Sequence, residues 1–318
     1  MATSSVRQDI TTQTSAPGKE IGFSVNQGAN WSNYLVYRPL YPQSFFERIY
    51  NYHSQKPFAS WSVAHDIGAG CGVVSATLAS QFHSVIVSDP NDGYTTVARK
   101  ALIEESGIPE SRLRFLQEGA ERSSVESGTV DLLTVCECIH WTDPVTAIQE
   151  FNRELRPGGT VVITHYTVPR IIGNEKAQNA WERIWDLYSE NCKDDDLLAH
   201  AFRILNTGFE HLEFPPDQWD LVKRQYINAH GSLLPFQMNP IVAEDHVHDG
   251  EQKVFDENDE DWIDVKGFEW FKGYQETWVP TLPESKSKEL WDELELALDG
   301  EKAKIETPVV MVFATKRN

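Results

Sequence analysis

The sequence predicts an α/β domain, built as a parallel sheet with helices on both faces. Two observations carry that prediction. Five strand-length apolar runs alternate with helically spaced segments over about a hundred residues, between 62 and 166. The first of these runs also ends in a glycine cluster that opens a helix.

Taken in order, residues 1–20 are polar, rich in Ser and Thr, and read as a disordered tail. Residues 21–57 read as an N-terminal cap segment, in which Pro42–Tyr52 has helical spacing with Phe45, Phe46, Ile49 and Tyr50 on one side. The main domain is expected over 58–318. Its strands are expected at Ser62–Ile67, Ser84–Ser88, Leu113–Gln117, Val130–Glu137 and Thr160–Tyr166, with helices at Val73–Phe82, Thr95–Glu105 and Pro144–Leu155. In the last of these helices Val145, Ile148 and Phe151 point inward, and Arg156–Gly159 is its stop and turn. The second half is less regular. Helices are expected at Glu175–Glu190, Asp195–Leu205, Gly267–Trp278 and Ser285–Leu298, and strands at Trp219–Ile227 and Pro308–Thr315. Insertions at about 170–210 and 230–285 are expected to form a lid over a substrate.

Composition bounds the partners. In 318 residues, 40% are hydrophobic and 11% aromatic, enough for a sizeable core. Lys and Arg number 28 against 48 Asp and Glu, a net charge of −20 that disfavours nucleic acid and anionic membrane surfaces. Ten of those acids lie in residues 244–264, against Lys253 alone. No run of 18 apolar residues exists, and the first twenty residues lack the apolar stretch of a secretory signal. The four cysteines, Cys71, Cys136, Cys138 and Cys192, are few, and a reduced cytoplasmic setting is expected. His246 and His248 have no companion ligands in the sequence and read as loop residues, with no metal expected.

The richest local signal is His65-Asp-Ile-Gly-Ala-Gly-Cys-Gly72. Glycines there let the backbone turn tightly and approach a ligand closely. The dinucleotide fingerprint places its last Gly or Ala three residues after the second Gly, but here Gly68, Gly70 and Gly72 are evenly spaced and position 73 is Val. Asp66, two residues before the first glycine, opposes a pyrophosphate and suits a ligand bearing an ammonium group. That points to S-adenosylmethionine, whose methionine end is a zwitterion. Asp89, at the end of the second strand, can accept hydrogen bonds from both ribose hydroxyls.

With these residues in view, the chain resembles the class I S-adenosylmethionine-dependent methyltransferases over most of residues 30–318. Within them it is similar to the trans-aconitate methyltransferase-like group of small-molecule enzymes. The matching pieces are Tyr37-Arg-Pro-Leu-Tyr-Pro42, the HDIGAGCG turn, VSDPN ending at Asn91, Gly119-Ala-Glu121, the stretch from Asp131 to Asp143, LRPGGTVVITHY ending at Tyr166, and Glu276-Thr-Trp278. The resemblance implies a Rossmann-like seven-stranded sheet whose last strand, near 308–315, runs antiparallel. It assigns Asp66, Gly68 and Gly70 to the methionine end, Asp89 to the ribose, Ala120 and Glu121 to the adenine, and the backbone near Glu137 to the ammonium. Arg38 is expected to partner the cofactor carboxylate through a charge-assisted hydrogen bond.

The acceptor pocket is expected from aromatics: Tyr34, Tyr37, His140, Trp141, and the helix carrying Trp270, Tyr274 and Trp278. A carboxylic acid acceptor, which the resemblance favours, needs positioning and no proton removal. A phenol or alcohol would want a base, and His140 is the candidate, as base or as positioner of the acceptor. The expectation is a cytoplasmic small-molecule O-methyltransferase, monomeric or weakly dimeric, with no nucleic-acid or membrane partner. The alternative is a chain of the same fold that binds the cofactor but catalyses another reaction or serves as a binding partner.

Overall fold

Among the described residues eight strands form one sheet, and its order follows from how the chain turns back at the middle. The computed structural model describes residues 31–57, 59–91, 93–241 and 243–318, so the tail expected over 1–20 lies outside the described residues. The described residues begin with two helices, α1 (Trp31–Tyr37) and α2 (Gln43–Ser54). Then β1 (Val63–Ile67), α3 (Val73–Gln81), β2 (Ser84–Ser88), α4 (Tyr94–Arg99, continued by a π-helical turn over Lys100–Glu105), β3 (Leu113–Leu116), β4 (Val130–Cys136), α5 (Pro144–Glu154) and β5 (Leu155–Tyr166) alternate. These five strands pair in parallel, in the order β3-β2-β1-β4-β5. The chain steps outward from β1 to β3, then returns to lay β4 on the other side of β1. That reversal opens a crevice at the carboxyl ends of β1 and β4, the place where sheets of this kind take ligands.

The rest of the chain comprises β6 (Arg170–Ile172), α6 (Glu175–Asn191), α7 (Asp196–Leu205), β7 (Trp219–Ile227), β8 (Gln252–Asp256), β9 (Ile263–Lys266), α8 (Phe268–Glu276), α9 (Glu284–Leu298), β10 (Ala303–Glu306) and β11 (Val309–Lys316). As expected, the last strand is antiparallel. It runs between β5 and β7 and pairs antiparallel with both. Its side chains are buried on both faces, which is why VVMVFAT reads as a continuous apolar run.

Three expectations need correction. The main sheet has eight strands rather than seven, because β8 adds to β7 in parallel from within the acidic segment. QKVFD is half-exposed on an edge and has too few apolar residues to announce itself. A separate antiparallel sheet, β6-β10-β9, was also silent in the sequence. Second, Arg156–Gly159 lies inside β5. The register with β4 jumps from Val130 opposite Leu155 to Leu132 opposite Thr160, so the turn signal marks a bulge, with Gly158 at φ 77°. Third, Val145 is exposed at 58%; Pro144, Ala147, Ile148 and Phe151 share the buried face of α5, at the spacing of successive helical turns.

The acidic segment is tied to the body of the protein by two arginines. Arg224 of β7, fully buried, pairs with Glu251 at 2.6 Å and donates to the carbonyls of Phe209 and Leu212. Arg48 of α2 reaches Asp256 at 2.7 Å and Asp259 at 2.8 Å. Among the described residues no helix is long and apolar enough to cross a membrane.

Candidate functional site

The glycine turn after β1 takes its shape from positive backbone angles. Gly68, Gly70 and Gly72 have φ of 65°, 53° and 84°, a region that L side chains rarely occupy. Space forbids a side chain as well: a Cβ on Gly68 would lie 2.5 Å from Cβ of Cys138. Two carboxylates brace this turn. Asp66 is buried and accepts from the Ser75 hydroxyl at 2.6 Å and the Thr134 hydroxyl at 2.7 Å, joining α3 to β4 beneath the turn. Asp89 accepts from the Gly70 amide and the Asn91 amide, each at 3.0 Å. Burial raises the pKa of Asp66 from its ordinary value and pushes Asp89 up to about 6.

Below the turn, His65 is sealed in. Its Nδ1 donates to Glu154 at 2.6 Å and its Nε2 accepts from Ser88 at 2.8 Å, with all three side chains buried. The Ser–His–carboxylate order resembles a nucleophile triad, but no ligand can reach it. It locks β1, β2 and α5 together, and Ser88 is the residue before Asp89.

One cavity, enclosing about 1420 Å³ of space partly open to solvent, joins the turn to the ends of β4 and β5. Of the residues singled out in the sequence, Tyr34, Arg38, Asp66, Gly68, Gly70, Asp89, Glu137, His140, Trp141 and Trp278 line it. Arg38 is clasped: its Nε donates to the Thr277 hydroxyl at 2.7 Å, and its guanidinium lies over the rings of Tyr34, Tyr274 and Trp278 at 5.2, 5.3 and 4.7 Å. His140 is buried, and its Nδ1 has no hydrogen-bond partner among the described residues. Burial, and after it the nearby His165, Arg38 and His200, hold the His140 imidazole well below its usual pKa.

Five expected residues do not line the cavity. Tyr274 is fully buried behind Arg38, and Trp270 stacks on it at 5.1 Å between ring centres. Tyr37 packs against Gly273 instead. These aromatics belong to a second core with Trp181 and Trp185 of α6 and Trp291 of α9, so most of the aromatic helix is packing and only Trp278 reaches the cavity. Ala120 is buried elsewhere, and Glu121 spends a carboxylate oxygen accepting from the Asp143 amide at 3.1 Å.

Other lining residues were missed. Leu198, Ala201, Phe202 and Leu205 present one face of α7 as an apolar wall. That helix is fixed by His200, whose Nε2 donates to the Thr142 carbonyl at 2.7 Å. Tyr41, Tyr166 and His165 also line the cavity, and the hydroxyls of Tyr34 and Tyr166 lie 3.3 Å apart. Burial raises both phenols' pKa, Tyr34 to about 12 and Tyr166 well above the usual value, so both remain neutral. The place of His165 in the cavity had a signal, a histidine one residue before the end of a parallel strand, where such sheets open their crevice, but its pairing had none.

Similar proteins are consistent with this geometry. Residues 65–163 match the family model described as a methyltransferase domain. The chain is 30% identical to methyltransferase gedG of Aspergillus terreus, over 91% of this chain and 92% of that protein. It is 31% identical to methyltransferase pgmE of Aspergillus terreus, over 90% and 93%, and 28% identical to methyltransferase cfoB of Aspergillus candidus, over 99% and 100%. Among solved structures it is similar in fold to one from Anaeromyxobacter dehalogenans assigned to the type II methyltransferases, with a TM-score of 0.56 and 18% identity over 87% of this chain and 97% of that one.

Proposed function

The chain belongs to the S-adenosylmethionine-dependent methyltransferases, and on that premise we propose that it O-methylates a small, flat, largely apolar molecule. The observation that carries this reading is the single cavity running from the Gly68–Gly72 turn to the aromatic and histidine side chains beyond β4 and β5. The residues at the turn fit the cofactor. Asp66 and Asp89 offer acceptor oxygens suited to an ammonium group and ribose hydroxyls, and the space at Gly68 admits no side chain. In this reading Asp66, Gly68 and Gly70 hold the methionine end and Asp89 the ribose, while Ala120 and Glu121, outside the cavity lining, no longer carry the adenine contact that the resemblance assigned them. The backbone at Glu137 faces the ammonium and Arg38 the carboxylate. When bound, the cofactor supplies a methyl group activated by a sulfonium. The protein's part is to bring the acceptor oxygen in line with it and keep water out.

The walls select the acceptor. Phe202, Leu198 and Leu205 on one side, with Trp141 and Trp278 on others, favour an apolar body over a charged polymer. The resemblance to the trans-aconitate methyltransferase-like group supports a carboxylic acid as the acceptor, arriving ionised and held toward Arg38. A hydroxyl acceptor is the second reading, favoured by the unpartnered ring nitrogens of His140 and His165. The proposal is of a cytoplasmic enzyme, monomeric or weakly dimeric, working without nucleic acid or membrane.

Calorimetry with S-adenosylmethionine, followed by a mass-spectrometric search for the gain of one methylene across panels of carboxylic acids and phenols, tests it. Methylated product from a small acid or phenol is expected. Tight cofactor binding with no methylated product in either panel would overturn the reading in favour of a non-methylating role.

A further inference from the structure

Glu137 is an unusual residue at the end of β4. Its backbone sits at φ 56°, a conformation that bulky side chains avoid. The distortion sends its carboxylate back toward β5, where one oxygen accepts from the Tyr166 amide at 2.7 Å and the other from Nδ1 of His165 at 2.9 Å. A carboxylate can only accept, so Nδ1 of His165 carries the proton and Nε2 is left with a free lone pair. That Nε2 is buried and has no hydrogen-bond partner among the described residues. The ring is only 2% exposed, lines the cavity, and is fixed between Tyr166, Phe209 and Phe236. A buried acceptor atom left unpaired is costly unless a ligand pairs it.

Building on the methyltransferase reading, and taking its second acceptor class over the carboxylic acid, we propose that His165, oriented by Glu137, is the proton acceptor of the reaction, and that the acceptor molecule presents a phenolic or enolic hydroxyl. The O–H bond of the acceptor breaks, its proton passes to Nε2 of His165, and the electron pair stays on oxygen. That oxygen forms the new bond to the methyl carbon, and the carbon–sulfur bond breaks with its pair remaining on sulfur. The imidazolium formed at His165 is stabilised by Glu137.

His140, the base suggested by the sequence, lacks the one feature that matters. Among the described residues no carboxylate faces it; the charged and titratable groups around it are His165, Arg38 and His200, and each opposes protonation. His165 has Glu137 on its Nδ1 side, with His140 at 5.9 Å between ring centres and the neutral Tyr166 beside it. A base whose conjugate acid is paired outperforms one whose conjugate acid is repelled. His140 then acts as a neutral wall or a hydrogen-bond acceptor for the substrate body.

The test uses the full chain and its H165Q, H140Q and E137Q variants. Affinity for S-adenosylhomocysteine is measured by calorimetry, and rates with a phenol and a carboxylic acid from the panels are measured across pH. For H165Q we expect unchanged cofactor affinity and a loss of about 10²–10⁴-fold in kcat on the phenol. The loss should shrink as pH rises past the phenol's own pKa, where the acceptor arrives ionised, and be small on the carboxylic acid. E137Q should shift the acid limb of the phenol profile in the same enzyme. As a readout independent of turnover, nitrogen NMR of the histidine rings should show His165 as the Nδ1–H tautomer. A phenol rate and pH profile untouched in H165Q, a loss equal on both acceptor classes, or an Nε2–H tautomer at His165 would each overturn the assignment. A parent enzyme that methylates neither panel defeats the methyltransferase reading itself, while the tautomer measurement still judges the pairing.

Discussion

Asp89 shows how one buried carboxylate can serve shape and binding with opposite pH dependence. Burial lifts its pKa to about 6 despite the Gly70 and Asn91 amides that hold it. The folded chain therefore keeps a proton that the unfolded chain, with an ordinary value of about 4, has already released. Its contribution to stability is present below about 4 and is lost as pH rises through about 6. Binding of ribose hydroxyls runs the other way, since they must donate to an ionised carboxylate. We expect cofactor affinity to fall about tenfold per pH unit below the Asp89 pKa, and Asp89→Asn to bind weakly with that slope removed. Calorimetric titrations across this range check both, and an unchanged slope in Asp89→Asn would withdraw the ribose assignment. At this scale the sequence was legible where chemistry and chain position coincide. Asp66 and Asp89 stand next to a glycine turn, so their place was readable. The pairing of His165 was not, because its partner Glu137 is 28 residues away and reaches it only through a left-handed backbone turn.

Among elements, the contact between α1 and α8 decides how the cavity closes. Gly273 sits where α8 meets the Tyr37 ring, and a Cβ there would fall 2.4 Å from two atoms of that ring. Tyr34 on α1 and Arg38 just after it both line the cavity, so their positions depend on this close approach. Gly273→Ala is expected to push α1 outward, costing about 1–3 kcal/mol of stability and weakening cofactor binding. Adding Tyr37→Leu should restore most of both. Thermal unfolding and calorimetry measure the pair; failure of the second change to rescue would mean that α1 is held by other contacts. Element types were well foreshadowed wherever burial imposes a period. Strands β1, β2, β4, β5 and β11 appear as apolar runs because both their faces are covered, whereas β6, β8, β9 and β10 are short strands in the irregular second half, with little apolar run to mark them. The aromatic helix misled for a related reason: tryptophans crowd a second core as readily as a pocket, and composition does not distinguish the two.

Across the whole molecule, the charge acquires a location and a role. Of the ten acids in residues 244–264, Glu251, Asp256, Asp259 and Asp264 are ion-paired, with Arg224, Arg48 and Lys266. The segment is therefore an edge strand and strap fastened to β7 and α2 rather than a free acidic loop. Arg224 is the deepest of these ties. Arg224→Leu is expected to lower the unfolding free energy by about 3–5 kcal/mol, because Glu251 is left buried and unpaired. The double variant with Glu251→Leu should recover part of that loss, the carbonyls of Phe209 and Leu212 remaining without their donor. Urea unfolding of the two variants reads the difference, and no recovery in the double variant would place the cost in the lost carbonyl bonds alone.

What the sequence determined by itself is the buried strands of the main sheet, the turn and the cofactor class. Each is written locally: apolar period marks the strands, evenly spaced glycines mark a backbone that must pass through positive φ, and acids next to that turn mark the ligand's charge. The tertiary structure alone decided which aromatics are core and which are wall, that Arg156–Gly159 is a bulge within a strand, and that Glu137 delivers its carboxylate to His165. Those outcomes depend on side chains meeting across different elements, and packing in three dimensions settles such meetings without leaving a period or a spacing in the chain.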